Sequence, residues 1–143
     1  MDELAIRDIS IFFFFCLLDE DKAHDLSSRA LDEYFELKRK YPAEKVQVLI
    51  VRASHKIWKK FASQLPRGRP HITKQSGWTW PHDINFGPWM EFQKNSILDE
   101  FIVSVWAFFL KYSDEEIAEG LEMTAGTVRY RLGHALKKLG SYV

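Results

Sequence analysis

The stretch from Ser113 to Leu139 constrains the fold more tightly than any other part of the chain. Ser113-Asp114-Glu115-Glu116 has the form of a capping box, in which the Ser113 hydroxyl accepts from the Glu116 backbone and the Glu116 side chain reaches back. That predicts a short helix to about Leu121, with Ile117, Ala118 and Leu121 on its inner face. Glu122-Met123 reads as a turn, and Thr124 as the cap of a last helix that runs to about Leu139, before Gly140. Val128, Leu132, Ala135, Leu136 and Leu139 give this helix its inner face. Two helices joined by so short a turn cross steeply and share a small core, here with Met123 plugging the turn and Ala118 leaving room for close approach.

The outer face of the last helix points to duplex DNA. A recognition helix meets base edges with its N-terminal residues. Thr124, Ala125, Gly126, Thr127, Arg129, Tyr130 and Arg131 occupy the first two turns. Small residues there let the helix enter a major groove about 12 Å wide. Arg129 suits a guanine edge and Thr127 or Tyr130 a phosphate or base, while Arg131, Lys137 and Lys138 suit the backbone. The last helix has no acidic residue, whereas the preceding one carries Asp114, Glu115, Glu116 and Glu119.

The same stretch resembles region four of bacterial sigma factors, especially the small extracytoplasmic-function type. The matching residues are Glu115-Glu116-Ile117-Ala118, Leu121, Gly126-Thr127-Val128, Arg131-Leu132, Ala135 and Lys137-Lys138-Leu139. LuxR-type regulators share much of this pattern. Ala23-His24-Asp25-Leu26 followed by Arg29-Ala30-Leu31 is similar to the A-x-D-L motif of sigma region two. The resemblance implies that Asp25, Leu26 and Arg29 dock on RNA polymerase. It also implies that the helix around Lys45 to Phe61 captures melted promoter DNA through Arg52, His55, Lys56, Trp58, Lys59 and Lys60. Cations interleaved with aromatics suit single strands, because bases stack on rings while cations follow the backbone. The residues alone equally allow an amphipathic helix whose Ile57, Trp58 and Phe61 are core.

The rest of the chain reads as helical, with no sustained strand alternation. Leu4 to Leu18 is a strongly apolar first helix, broken by Asp19-Glu20-Asp21. A second helix is expected from about Lys22 to Tyr41, stopped by Pro42, and a third from about Ala43 to Leu65. Pro66 to Pro88 holds four of the five prolines together with Trp78 and Trp80, and reads as a linker. A fourth helix is expected from about Trp89 to Tyr112, with Ile97, Phe101, Val105, Phe108 and Phe109 on its buried face. The expectation is therefore an all-α protein of two small helical domains, 1–65 and 89–143, with linker 66–88 and a helix-turn-helix at the C-terminus.

Charge is unevenly spread although the net charge is zero. Residues 38–74 carry 11 basic groups and 1 acidic, and residues 124–143 carry 4 basic and none acidic. Two cationic surfaces separated by acidic ones are expected. The single Cys16 permits no internal disulfide, and the longest apolar run, Ile11 to Leu18, is far short of the roughly 20 residues of a membrane helix. No signal peptide is visible. A cytoplasmic protein without membrane contact is expected.

No phosphate-cradling glycine loop is present. His24, His55, His71, His82 and His134 show no metal-ligand spacing, and no catalytic constellation appears. Neither an enzyme nor a cofactor is expected. The expected partners are promoter DNA, core RNA polymerase and an anti-sigma factor. The alternatives are a LuxR-type regulator with a sensing or dimerising N-terminal domain, and a protein-interaction module that never touches DNA.

Overall fold

The structure is a computed structural model that describes residues 2–65, 86–96 and 98–142. It is all-helical, with seven α-helices and no strand among the described residues. The expected linker 66–88 lies largely outside them, as do Trp78, Trp80, His71, His82 and Ile97.

Helix α1, Glu3–Leu17, buries Ala5, Ile9, Phe12, Phe13 and Cys16, which recur at three- and four-residue spacing. It stops where Leu18 takes a left-handed conformation (φ 49°). Asp19 then caps α2, Glu20–Lys40, by accepting from the Lys22 N–H at 3.1 Å. The acidic triplet therefore breaks the chain as expected, but Glu20 and Asp21 belong to the first turn of α2, where negative charge suits the helix dipole. Helix α2 ends before Pro42. The third helix does not begin at Ala43, because the Glu44 N–H closes a turn on the Tyr41 carbonyl at 3.1 Å. Helix α3 runs from Val46 to Ala62.

The expected single helix from Trp89 to Tyr112 is instead three pieces. Helix α4, Gly87–Asn95, has Pro88 in its first turn and ends where Ser96 is extended. Helix α5, Leu98–Ser104, continues into a π-helical turn at Val105–Phe109, closed by the Leu110 N–H on the Val105 carbonyl. Helices α6, Asp114–Leu121, and α7, Ala125–Ser141, complete the chain.

One apolar core runs through both sides of residues 66–85. Phe12 of α1 stacks on Trp106 of the π turn with centroids 4.5 Å apart; Phe15 stacks on Phe109 at 3.9 Å, but Phe109, expected on the buried face, is exposed at the edge of the core. Trp89 of α4 donates its indole N–H to the Phe15 carbonyl at 2.8 Å. The Tyr112 hydroxyl donates to the buried Asp8 carboxylate at 2.7 Å, across 104 positions of sequence. Helix α6 lies on α3, and α7 packs on α5 and α6. No helix among the described residues is long and apolar enough to cross a membrane.

Candidate nucleic-acid interface

The α6–turn–α7 unit is built by local chemistry. Ser113 Oγ accepts from the Glu116 N–H at 3.1 Å, and Glu116 Oε1 accepts from the Ser113 N–H at 2.9 Å, forming the expected capping box. Glu116 Oε2 also pairs with Lys45 Nζ at 2.6 Å and so ties α6 to the start of α3. Burial alone would raise the Glu116 pKa. The bonds from Lys45 and Ser113 outweigh it and hold the carboxyl below its ordinary range.

Glu122 ends α6 in the left-handed region (φ 60°), and the Met123 N–H returns to the Ala118 carbonyl at 2.9 Å. Thr124 caps α7 by accepting from the Thr127 N–H at 3.1 Å, with the two threonine hydroxyls 2.9 Å apart. Ile117, Ala118, Gly120 and Leu121 of α6 are buried, as are Val128 and Ala135 of α7; Leu132 and Leu139 are half-buried against the same core. Leu136 does not belong to the inner face. It is 59% exposed, because it lies a further 100° round the helix from Ala135.

The outward face of α7 carries Gly126, Arg129, Tyr130, Gly133, His134, Leu136 and Lys137. Tyr130 is 73% exposed, and its ring lies parallel to that of His134. The Arg129 side chain is 60% exposed, and its Nη1 lies 3.7 Å from Asp114 Oδ2. Thr124 is exposed, while Ala125 and Thr127 are half-buried.

Two of the expected backbone-holding cations face the protein instead. The Arg131 side chain is only 25% exposed, with Nη2 3.9 Å from Asp99. Lys138 donates to the Asn95 carbonyl at 3.2 Å and lies 3.4 Å from Glu100. Glu100 itself is buried and also meets His134 Nδ1 at 2.6 Å. Their role is to dock α7 on α4 and α5. Nothing local in the sequence marks Glu100 or Asp99 as their partners, because the pairing exists only once the helices have packed.

On α2, Asp25 and Arg29 are exposed and pair with each other at 3.3 Å, whereas Leu26 is buried in the core and offers no docking surface. On α3, Trp58 is fully buried edge-on to Phe12, and Ile57 and Phe61 are half-buried against the core. The expected base-stacking role of Trp58 is therefore overturned: neither face of its ring is open to a base. The remaining α3 candidates, Arg52, His55, Lys56, Lys59 and Lys60, come together along one groove of about 500 Å³, between the end of α2 and the turn after α6. Arg52 also donates to the Glu119 carbonyl at 3.3 Å. Burial and then the neighbouring Lys59 charge hold the His55 pKa below its ordinary value.

Cys16 is buried, which pushes its thiol pKa well up and leaves it a poor nucleophile. Among the described residues no group of His, Cys, Asp and Glu is arranged to hold a metal ion. Compared with protein-family models, with curated proteins and with solved structures, the chain has no match.

Proposed function

We propose that this chain is a sigma-like transcription protein that binds duplex promoter DNA through α7 and core RNA polymerase through the exposed Asp25–Arg29 face of α2. One observation carries the DNA reading: the first turns of α7 present Gly126, Arg129 and Tyr130 outward, on a helix without a single acidic residue. The side chains that would contact a duplex are fewer than the sequence suggests. Arg129, Tyr130 and Lys137 are the outward set, and Arg131 and Lys138 hold the helix that presents them. Arg129 would leave Asp114 for a guanine edge, an exchange that costs little because the arginine is exposed and the contact is long.

The test is fluorescence anisotropy with a pool of labelled duplexes at several salt concentrations. Each phosphate neutralised lowers log affinity by about 0.9 per unit of log salt. Lys137→Ala is expected to flatten that slope. Arg129→Ala is expected to relax sequence preference at a cost of about 1–3 kcal/mol. Equal binding of wild type and Arg129→Ala to every duplex removes the role given to that arginine. Retention of core RNA polymerase on the immobilised chain tests the second half of the proposal, with Arg29→Glu expected to weaken it.

A second reading rests on the apolar Leu136 and Tyr130 side chains, which stand exposed on the same helix and suit a protein partner. It is preferred if the chain shows no salt-dependent affinity for any duplex.

A further inference from the structure

The groove between α2, α3 and the α6–α7 turn is a second cationic surface among the described residues, and it is concave where α7 is convex. Lys40, Arg52, Lys56, Lys59 and Lys60 line it. Two carboxylates share the lining, and one of them, Glu33, is already paired with Lys56 at 2.8 Å; the other is Glu122. Among the described residues five cations against two acids, gathered in about 500 Å³, repel one another. A bound anion would relieve that repulsion, and a concave site concentrates the field that attracts it.

We propose that this groove binds a compact polyphosphorylated anion, such as a nucleoside polyphosphate. Its volume falls within the range of roughly 300–1,000 Å³ typical of small-ligand sites. Arg52, Lys56, Lys59 and Lys60 recur at helical spacing along one stripe of α3, about 12 Å long at 1.5 Å per residue. From such a stripe several long cationic side chains can converge on one short chain of phosphates. Leu37, Tyr41 and Leu121 give the same groove an apolar part, and the half-exposed Tyr41 ring offers a face to a base.

A nucleic-acid backbone fits less well. A captured single strand needs an aromatic face on which to stack its bases, and the α3 side chain that the sequence offers for this, Trp58, is buried. A compact anion does not meet that obstacle. The site stands independently of DNA binding by α7. It bridges α2 and α3 to the end of α6, so its occupant would brace α6 against α3.

The experiment is calorimetric titration of the full chain with sodium tripolyphosphate and, separately, with ATP, at about 0.15 M salt, where weak surface attraction is screened. Saturable binding of one tripolyphosphate per chain is expected. The double variant Lys59→Ala, Lys60→Ala is expected to weaken it at least about tenfold, whereas Lys137→Ala on α7 leaves it unchanged. Both lysines are exposed, so the variants should keep the circular dichroism of the parent. Tighter binding of ATP that Tyr41→Ala abolishes identifies a nucleotide, and equal binding of both anions identifies the phosphate chain alone as the ligand; either supports the site. The proposal is overturned by absence of saturable binding, by equal losses in the Lys137→Ala and double variants, or by a double variant that loses duplex DNA while tripolyphosphate binds no form of the chain.

Discussion

Gly120 sits where α6 crosses α3, and a Cβ built there would lie 2.5 Å from both Cβ and Cγ1 of Val51 and 3.2 Å from the Val48 carbonyl oxygen. No L side chain fits that space unless the two helices part. Alanine at an ordinary helix position gains up to about 1 kcal/mol over glycine. Overpacking a close contact costs about 1–3 kcal/mol, and Val51, β-branched and fully buried, has nowhere to swing. The clash therefore wins. Gly120→Ala is expected to destabilise the chain by about 1–2 kcal/mol in urea unfolding, with the slope unchanged. A rise in the midpoint would mean that α6 does not approach α3 as closely as this.

At the scale of the element, α6 is held by a few local bonds, and its dependence on pH follows from one of them. Glu116 has a carboxyl pKa lower in the folded chain than in the unfolded one, because Lys45 and the Ser113 cap favour its charged form against the burial that opposes it. A group of this kind contributes fully above its unfolded pKa of about 4.3 and loses that contribution as pH falls through its lower folded value. Glu116→Gln is accordingly expected to lower stability at neutral pH and to shrink the loss between neutral and acid conditions, as followed by thermal melts from pH 7 down to pH 3. An unchanged pH profile would detach Glu116 from the coupling of α3 to α6. The same local bonds explain what could be read from the sequence. Ser113, Glu116 and Thr124 act on neighbours three residues away, so the bounds of α6 and the start of α7 were legible without tertiary information. The break at Ser96 and the π turn were not, since the surroundings of Trp106 and Phe109 are set by Phe12 and Phe15 nearly a hundred residues earlier. The direction of the α7 cations was legible only in part. Arg131 stands three and four residues from the buried Val128 and Ala135, so its spacing already sets it beside the inner face; its partner Asp99, and the partner Glu100 of Lys138, exist only once α5 has packed.

Across the whole molecule, the core leaves little room for independent halves. Trp106 and Tyr112 from one side of residues 66–85 complete the surroundings of Phe12 and Asp8 from the other, and Val51 is covered by α6 at Gly120. Asp8 is the sharpest case. Its carboxylate is almost wholly buried and is satisfied by Arg7 Nε at 2.9 Å and by the Tyr112 hydroxyl at 2.7 Å. Burial, and then the bond to Asp8, push the Tyr112 pKa far up, so the phenol remains a neutral donor throughout the working range of pH. Tyr112→Phe keeps the ring against Trp106 and removes only the hydroxyl, leaving one carboxylate oxygen in the core without its donor. A buried acceptor stripped of its partner costs about 1–3 kcal/mol. If the helices on the two sides unfold together, that cost reaches α2, which Tyr112 does not touch in sequence or through its hydrogen bond. Amide hydrogen exchange is then expected to speed up in the middle of α2 by about the same factor as in α7, and far-ultraviolet circular dichroism and tryptophan fluorescence should report one shared transition. Faster exchange confined to α5–α7, with the amides around Ala30 and Tyr34 unaffected, would instead divide the chain into two cooperative units that merely touch.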